Sequence, residues 1–178
     1  MPLGDNALTG CVQPSVRLTK HEHGWRFVCW RPGKLKGSWL ASQIPGWLAW
    51  QLQHGPTPLH VLTMEKENVA HSVHAACDDP GSWLRELVET FRSGSIVPQP
   101  FFPDAGLVYL KALEAGKDID AVRASTMNRL TGDFGEMTKA ETAMAFRHWS
   151  AEELIGVQFH KFASTAFAPL LKSAGEGS

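Results

Sequence analysis

Residues 25–50 read WRFVCWRPGKLKGSWLASQIPGWLAW and hold five of the chain's seven tryptophans. The stretch begins with the alternation of a β-strand at Trp25, Phe27 and Cys29, and it ends with apolar residues at helical spacing. Between the two lies a basic turn from Arg31 to Lys36. A strand that enters a helix through such a turn predicts a mixed fold in which cations and aromatic rings meet at a strand end.

The basic turn has two interpretations that the residues themselves leave open. Arg31, Lys34 and Lys36 can contact DNA phosphates while nearby rings stack on bases or sugars. The same residues also suit a solvated connection beside an ordinary apolar core. The three cations are therefore candidate DNA-binding residues.

The rest of the chain predicts a β-hairpin, a helix, a second β-hairpin and then a series of helices, which is an α/β or α+β domain. Ser38 is expected to cap the first helix, which contains Pro45 and either bends there or begins there. Residues 58–64 and 69–77 are the strands of the second hairpin. Residues 93–104 are expected to be irregular because they contain three prolines.

Capping signals predict where the later helices begin. Asp104 is expected to cap a helix over residues 106–115. Two boxes of the form Ser/Thr-x-x-Glu begin at Thr138 and Ser150, and each predicts a helix start. The second box should open the last helix, which runs to about Leu171.

Composition limits the class of protein. A length of 178 residues with 43% apolar and 20% charged residues predicts a globular domain with a sizeable core. The formal net charge is −1, so any contact with DNA must come from a local patch. Three scattered cysteines, a first segment unlike a signal peptide and the lack of a long apolar run predict a soluble, cytoplasmic protein without a membrane partner.

The patterns of metal and nucleotide chemistry are incomplete. His71, His74 and Cys77 lie at i, i+3 and i+6, which does not match the spacing of a characterised zinc site. Gly33 and Gly37 flank two lysines but do not form a P-loop, and no G-x-S-x-G occurs. We expect no metal site, no cofactor and no ATP hydrolysis by this chain.

A nuclease site of the restriction-endonuclease type needs an Asp on one strand and a Glu/Asp-x-Lys on the next, because the carboxylates hold Mg²⁺. The second hairpin offers Glu65, Lys66 and Glu67, but in the order E-K-E within a turn. Met64 occupies the position two before the lysine. We therefore predict no catalytic residues.

Several segments resemble the C-terminal domain of the RecC family, the gamma subunit of the RecBCD helicase–nuclease (exodeoxyribonuclease V). Residues 30–50 resemble its W-R-P-x-K-L followed by a helix with an aromatic-rich second half. Residues 81–113 resemble its helix, its G-x-x-x-P-x-x-F-x-P segment and the aromatic-bearing helix that follows. Residues 127–134 (MNRLTGDF) and 167–171 (FAPLL) resemble later segments, so the likeness covers about residues 13–172.

The resemblance implies a restriction-endonuclease-like (PD-(D/E)XK-type) fold with a mixed sheet and a helical C-terminal half that has lost its catalytic residues. It also implies a module at the point where duplex DNA enters and its strands are split, with ATP and Mg²⁺ bound by partner subunits. We expect this nuclease-like domain over residues 13–172, between a flexible segment (1–12) and a tail (173–178).

The function implied is that of a non-catalytic DNA-binding scaffold in double-strand break repair and homologous recombination. Phe101 and Phe102, in the loop from Pro98 to Pro103, are expected to dock RecB-type and RecD-type subunits. The family's helicase-like domains are absent here, so recognition of the recombination hotspot is not expected, and the alternatives for the chain are a truncated reading frame, a split subunit or an isolated module. The alternatives are a small metal-dependent nuclease that uses Glu65 and Glu67, and a non-functional remnant.

Overall fold

The structure is a computed structural model that describes residues 17–21, 24–65 and 67–173. The chain divides into two compact units. The sheet unit comprises the described residues of the ranges 1–35, 42–89 and 173–178, and the helical unit comprises residues 36–41 and 90–172. The predicted flexible segment (1–12) lies outside the described residues, as does the predicted tail apart from Ser173. The predicted boundaries of a domain over residues 13–172 stay a prediction.

The sheet unit contains a four-stranded mixed sheet in the order β1-β2-β3-β4. The outer pairs β1–β2 and β3–β4 are antiparallel, and the central pair β2–β3 is parallel. Parallel neighbours need a long crossover, which the chain makes through α1. The predicted order of hairpin, helix and hairpin is confirmed, with strands β1 (Arg17–His21), β2 (Gly24–Arg31), β3 (Leu59–Glu65) and β4 (Asn68–His74).

One face of this sheet forms the core of the unit. Phe27 pairs with Leu59 and Cys29 pairs with Val61, and all four side chains are buried. The Cys29 Sγ lies 3.6 Å from the side-chain oxygen of Gln43 on α1, so α1 covers this face. The strand alternation predicted this arrangement, because successive side chains point to opposite faces of a sheet.

Two tryptophans fix the helices of the sheet unit. The indole Nε1 of the buried Trp47 donates a hydrogen bond of 2.7 Å to the carbonyl of Thr57, which is the partner that a buried Trp N–H requires. Trp83 packs edge to face on Trp47, with ring centroids 6.1 Å apart. Trp47 is therefore a core residue.

The described residues form seven α-helices and one 3₁₀ turn, so the predicted helical C-terminal half is confirmed. Helix α1 continues through Pro45, so it does not begin there and the second of the two interpretations of that proline is wrong. Among the described helices, none is long and apolar enough to span a membrane. The helices are α1 (Gly37–His54), α2 (Pro80–Ile96), α3 (Pro103–Glu114), α4 (Ile119–Thr131), α5 (Ala140–Ala145), α6 (Ala151–Leu154) and α7 (Val157–Ser173), and the 3₁₀ turn is Glu136–Thr138.

Some predicted boundaries are wrong, and each has a local reason. Helix α2 continues to Ile96, because the first proline of the segment predicted as irregular is Pro98. Thr138 ends the 3₁₀ turn and its hydroxyl donates to the carbonyl of Gly135, so it does not begin a helix. The capping box at Ser150 is confirmed, but its helix ends at Leu154 and α7 is separate.

Candidate nucleic-acid interface

The backbone holds the basic turn in a defined conformation. Gly33 has φ +138°, a region that favours glycine because other residues meet their own Cβ there. Its carbonyl accepts a hydrogen bond of 3.1 Å from the N–H of Met64 on β3. The Nε of Arg31 donates a bond of 3.0 Å to the carbonyl of Lys34. Hydrogen bonds thus hold the turn to the neighbouring strand β3 and to the side chain of its own first residue, Arg31.

The structure brings Arg31 and Lys34 together in the sheet unit and assigns Lys36 to the helical unit, directly before α1. Both lysines are exposed, and Arg31 is half-buried. Among the side chains that the structure describes, no carboxylate forms an ion pair with any of these three cations. Positive side chains that are not paired with a carboxylate are available to phosphate groups.

The face of the sheet that α1 does not cover also carries ring side chains. Trp30 is 58% exposed at the end of β2. On β3 and β4 the Nδ1 of His60 lies 3.0 Å from the Nε2 of His71. Burial lowers the pKa of His60, and the neighbouring His71 and Arg26 lower it further. The strand register could have revealed this pair, since Leu62 faces His71 and places His60 diagonally opposite it.

The docking role predicted for Phe102 is corrected by the structure. Phe102 is 3% exposed at the N-cap of α3, and its ring lies 5.3 Å from that of Phe146 and 6.5 Å from that of Phe159. It belongs to the core cluster of the helical unit, so it presents no surface to a partner. Phe101 is half-buried, and its docking role stays a prediction.

A buried carboxylate network in the helical unit is the largest feature that sequence reasoning missed. The two oxygens of Glu136 accept hydrogen bonds of 3.2 and 2.8 Å from the N–H groups of Asp104 and Ala105 in the first turn of α3. Glu136 therefore does the capping that was predicted for Asp104. Burial raises the pKa of Glu136, while the two N–H groups oppose that rise.

Asp104 instead caps a different helix. Its Oδ1 accepts a bond of 2.7 Å from the N–H of Ser38 in the first turn of α1, and its Oδ2 accepts one of 2.7 Å from the guanidinium of Arg129. The predicted cap by Ser38 is thus replaced by a carboxylate 66 residues away. Burial acts to raise the pKa of Asp104, but the bonds from Ser38 and Arg129 outweigh it and lower the pKa. Both carboxylates are used to hold backbone in place.

The residues of the alternative nuclease hypothesis lie at one end of the second hairpin. Glu65 is the last residue of β3, Lys66 lies outside the described residues, and Glu67 is exposed in the turn. Within the described parts of the chain, no group of three or more His, Cys, Asp or Glu residues could hold a metal ion. His71 is exposed while His74 is buried, which fits opposite faces of β4.

The comparisons with known proteins give the family. A model of the RecC C-terminal domain matches residues 1–114, which is well over half of the 178 residues. A search of curated proteins finds no match. The matched range contains the basic turn and ends with α3, whereas residues 127–134 and 167–171 lie beyond it. The chain therefore belongs to the RecC C-terminal domain family.

Proposed function

We propose that this chain is a non-catalytic DNA-binding and scaffold module of a RecBCD-type exodeoxyribonuclease V. Its family membership suggests a RecBCD-type role in DNA repair. Within that role, we assign it to double-strand break repair and recombination, where it handles duplex DNA at the point of strand separation. The observation that carries the DNA-binding part is the basic turn, whose cations lack a carboxylate partner among the described side chains.

The conformation of the turn supports phosphate binding. The Nε of Arg31 donates a hydrogen bond to the carbonyl of Lys34. The remaining N–H groups of the guanidinium can donate to another acceptor. Lys34 is exposed at the bend, where the bond from Met64 to Gly33 limits its backbone freedom. A turn ordered in advance loses less conformational entropy when it binds. On a chain of net charge −1, such a local patch is the expected form of a DNA contact.

A restriction-endonuclease-like fold without catalytic residues remains part of the proposal. The mixed four-stranded sheet, the crossover through α1 and the helices that follow it support this fold. The order Glu65, Lys66, Glu67 supports the loss of catalysis, because the Glu/Asp-x-Lys arrangement for Mg²⁺ is not present there. Cleavage and ATP hydrolysis then belong to partner subunits.

The scaffold role is assigned to the segment before α3. Residues 98–102 form neither helix nor strand, and Phe101 is half-buried beside the buried Phe102. The ring of Phe101 therefore has apolar surface left for a RecB-type or RecD-type subunit, whereas Phe102 anchors the segment in the core. Apolar rings at the edge of a rigid core are common anchors of protein interfaces.

Binding to forked duplex DNA tests the DNA-handling part. Fluorescence anisotropy over a series of salt concentrations should give a linear fall of log affinity with log salt. The double variant Lys34→Gln/Lys36→Gln should bind more weakly and lower the salt slope by about 1 for each phosphate that the variant no longer neutralises. Lys117→Gln, an exposed lysine after α3, is the matched control and should leave the slope unchanged.

Pull-down with RecB-type and RecD-type subunits tests the scaffold part, and Phe101→Ala should weaken the capture. The proposal is wrong if the wild-type chain neither binds forked DNA at low salt nor associates with these subunits. An unchanged salt slope in the double lysine variant would show that the lysines of the basic turn do not contact DNA phosphates.

A further inference from the structure

The face of the sheet that points away from α1 remains open among the described residues. We call this the outer face, and it consists of the outward side chains of β2, β3 and β4. Trp30 is 58%, Val69 64% and Val73 40% exposed on it. The opposite face is covered, since Phe27 and Leu59 are fully buried. An apolar and aromatic surface of this kind normally belongs to a binding site.

The rings of the outer face lie in neighbouring positions. Trp30 pairs with Leu62 in the parallel register, and Leu62 pairs with His71 in the antiparallel register, so these three residues form one row across three strands. Strands are about 4.8 Å apart, which places the row across a span of about 10 Å. His60 occupies the next row, beside His71.

The two imidazoles join into one flat surface. Their ring centroids are 5.2 Å apart, their planes differ by 19°, and the facing nitrogens are 3.0 Å apart. The nitrogens must therefore lie almost on the line between the centroids, so the rings meet edge to edge through an N–H···N bond. Such a bond holds one proton between the rings and keeps both orientations fixed.

The described charged side chains on the outer face have one sign. The described side chains of the outer face include the cation Arg26 and no carboxylate, and Arg31 and Lys34 follow Trp30 along the chain. Among the described side chains, the acidic one closest in sequence to these strands is Glu67, in the turn before β4. Open rings bordered by cations match the chemistry of single-stranded nucleic acid, in which exposed bases stack and phosphates are neutralised.

We propose that the outer face binds single-stranded DNA, with bases on Trp30 and on the His60–His71 surface and phosphates on Arg26 and Lys34. This rests on the proposed DNA-handling function and adds to it a surface for the separated strand. The basic turn then contacts the duplex and also lies beside the path of one separated strand. A partner protein on the same face is the competing occupant, and protection of Trp30 from oxidation by a partner subunit, in a chain that does not bind oligothymidine, would identify it.

The test uses the full chain and a labelled oligothymidine, measured by anisotropy at low salt. Trp30→Ala should weaken this binding about tenfold, as expected when one base no longer stacks on a ring, while affinity for duplex DNA changes less than about twofold. Trp149→Ala is the matched control, because Trp149 is 54% exposed but lies in the helical unit, and it should change neither affinity. Trp30→Phe should keep most of the affinity, since a ring remains.

Photocrosslinking with bromodeoxyuridine in the oligonucleotide supplies a second readout that does not depend on a variant folding. The crosslinked peptide should contain Trp30 or His71. The inference is overturned if Trp30→Ala binds oligothymidine as tightly as the wild type, or if crosslinks form only outside β2–β4. Either result counts even when the lysine variants confirm duplex binding. Binding of oligothymidine that depends on Trp30, in a chain that does not bind duplex DNA, supports the inference and overturns the proposed duplex contact. Protection of Trp30 from oxidation by a partner subunit, with no oligothymidine bound, also overturns it.

Discussion

The basic turn and the carboxylate network use charge in opposite ways. In the network, Glu136 is 6% and Asp104 8% exposed, and hydrogen bonds from backbone and from Arg129 satisfy both carboxylates. In the turn, Arg31 and Lys34 have no described carboxylate partner. A charge that holds the fold together must be paired because burial of an unpaired one is costly, whereas a charge kept for a ligand stays open. The two regions should therefore respond differently to substitution.

The largest effect should come from Gly37→Ala at the start of α1. A Cβ at this position would overlap the carbonyl group of Pro103, which is backbone and cannot rotate away. We expect a loss of about 3 kcal/mol in the free energy of unfolding, because a packed interior yields little to added volume. Urea denaturation measures it. Gly94→Ala in α2, where only a side-chain carbon of Gln99 is within contact distance, should stabilise the chain by up to about 1 kcal/mol.

A smaller loss should follow Asp104→Asn. The amide keeps the shape but loses the charge that accepts from Ser38 and Arg129, so we expect a cost of about 2 kcal/mol at neutral pH. The folded-state pKa of Asp104 is lowered, so its ionisation stabilises the fold above about pH 4, and that contribution is lost as the pH falls through the folded value. The difference between wild type and variant should therefore shrink below about pH 4. Asp133→Asn, at an exposed position, is the control, and an equal loss there would contradict the structural role of Asp104.

The smallest effect on stability should be that of Lys34→Gln. An exposed cation without a described partner contributes little to folding, so the free energy of unfolding should change by less than about 0.5 kcal/mol. The same urea titration measures it beside Asp104→Asn. A loss above about 1 kcal/mol would make Lys34 a structural residue and would erase the contrast between the two regions.

The helix starts show where sequence reasoning succeeds and where it fails. The box at Ser150 was correct because both of its hydrogen bonds lie within four residues. The caps predicted for Ser38 and Asp104 were wrong because each helix is capped by a carboxylate that is distant in sequence. Local signals identify a helix end that needs a partner, but they do not say which side chain arrives there.

The candidate site also has features that the sequence predicts and features that only the structure reveals. The cations of the basic turn and their position after a strand could be predicted, as could the family, which the match over residues 1–114 confirms. The adjacent Phe101 and Phe102 look equivalent in sequence, yet only Phe102 is buried in the core. The pairing of His60 with His71 also needed the strand register, because the two residues are eleven positions apart.

The sequence by itself determined the alternating strands, the order of hairpin, helix and hairpin, and the basic turn, because these follow from periodicity and from glycine and proline chemistry. Tertiary structure alone decided which face of the sheet α1 covers and hence that Trp30 is exposed while Trp47 is buried. It also decided that Asp104 and Glu136 serve backbone N–H groups of helix ends. The physical reason is that burial and the pairing of polar groups depend on which distant segments meet, and a local pattern does not contain that information.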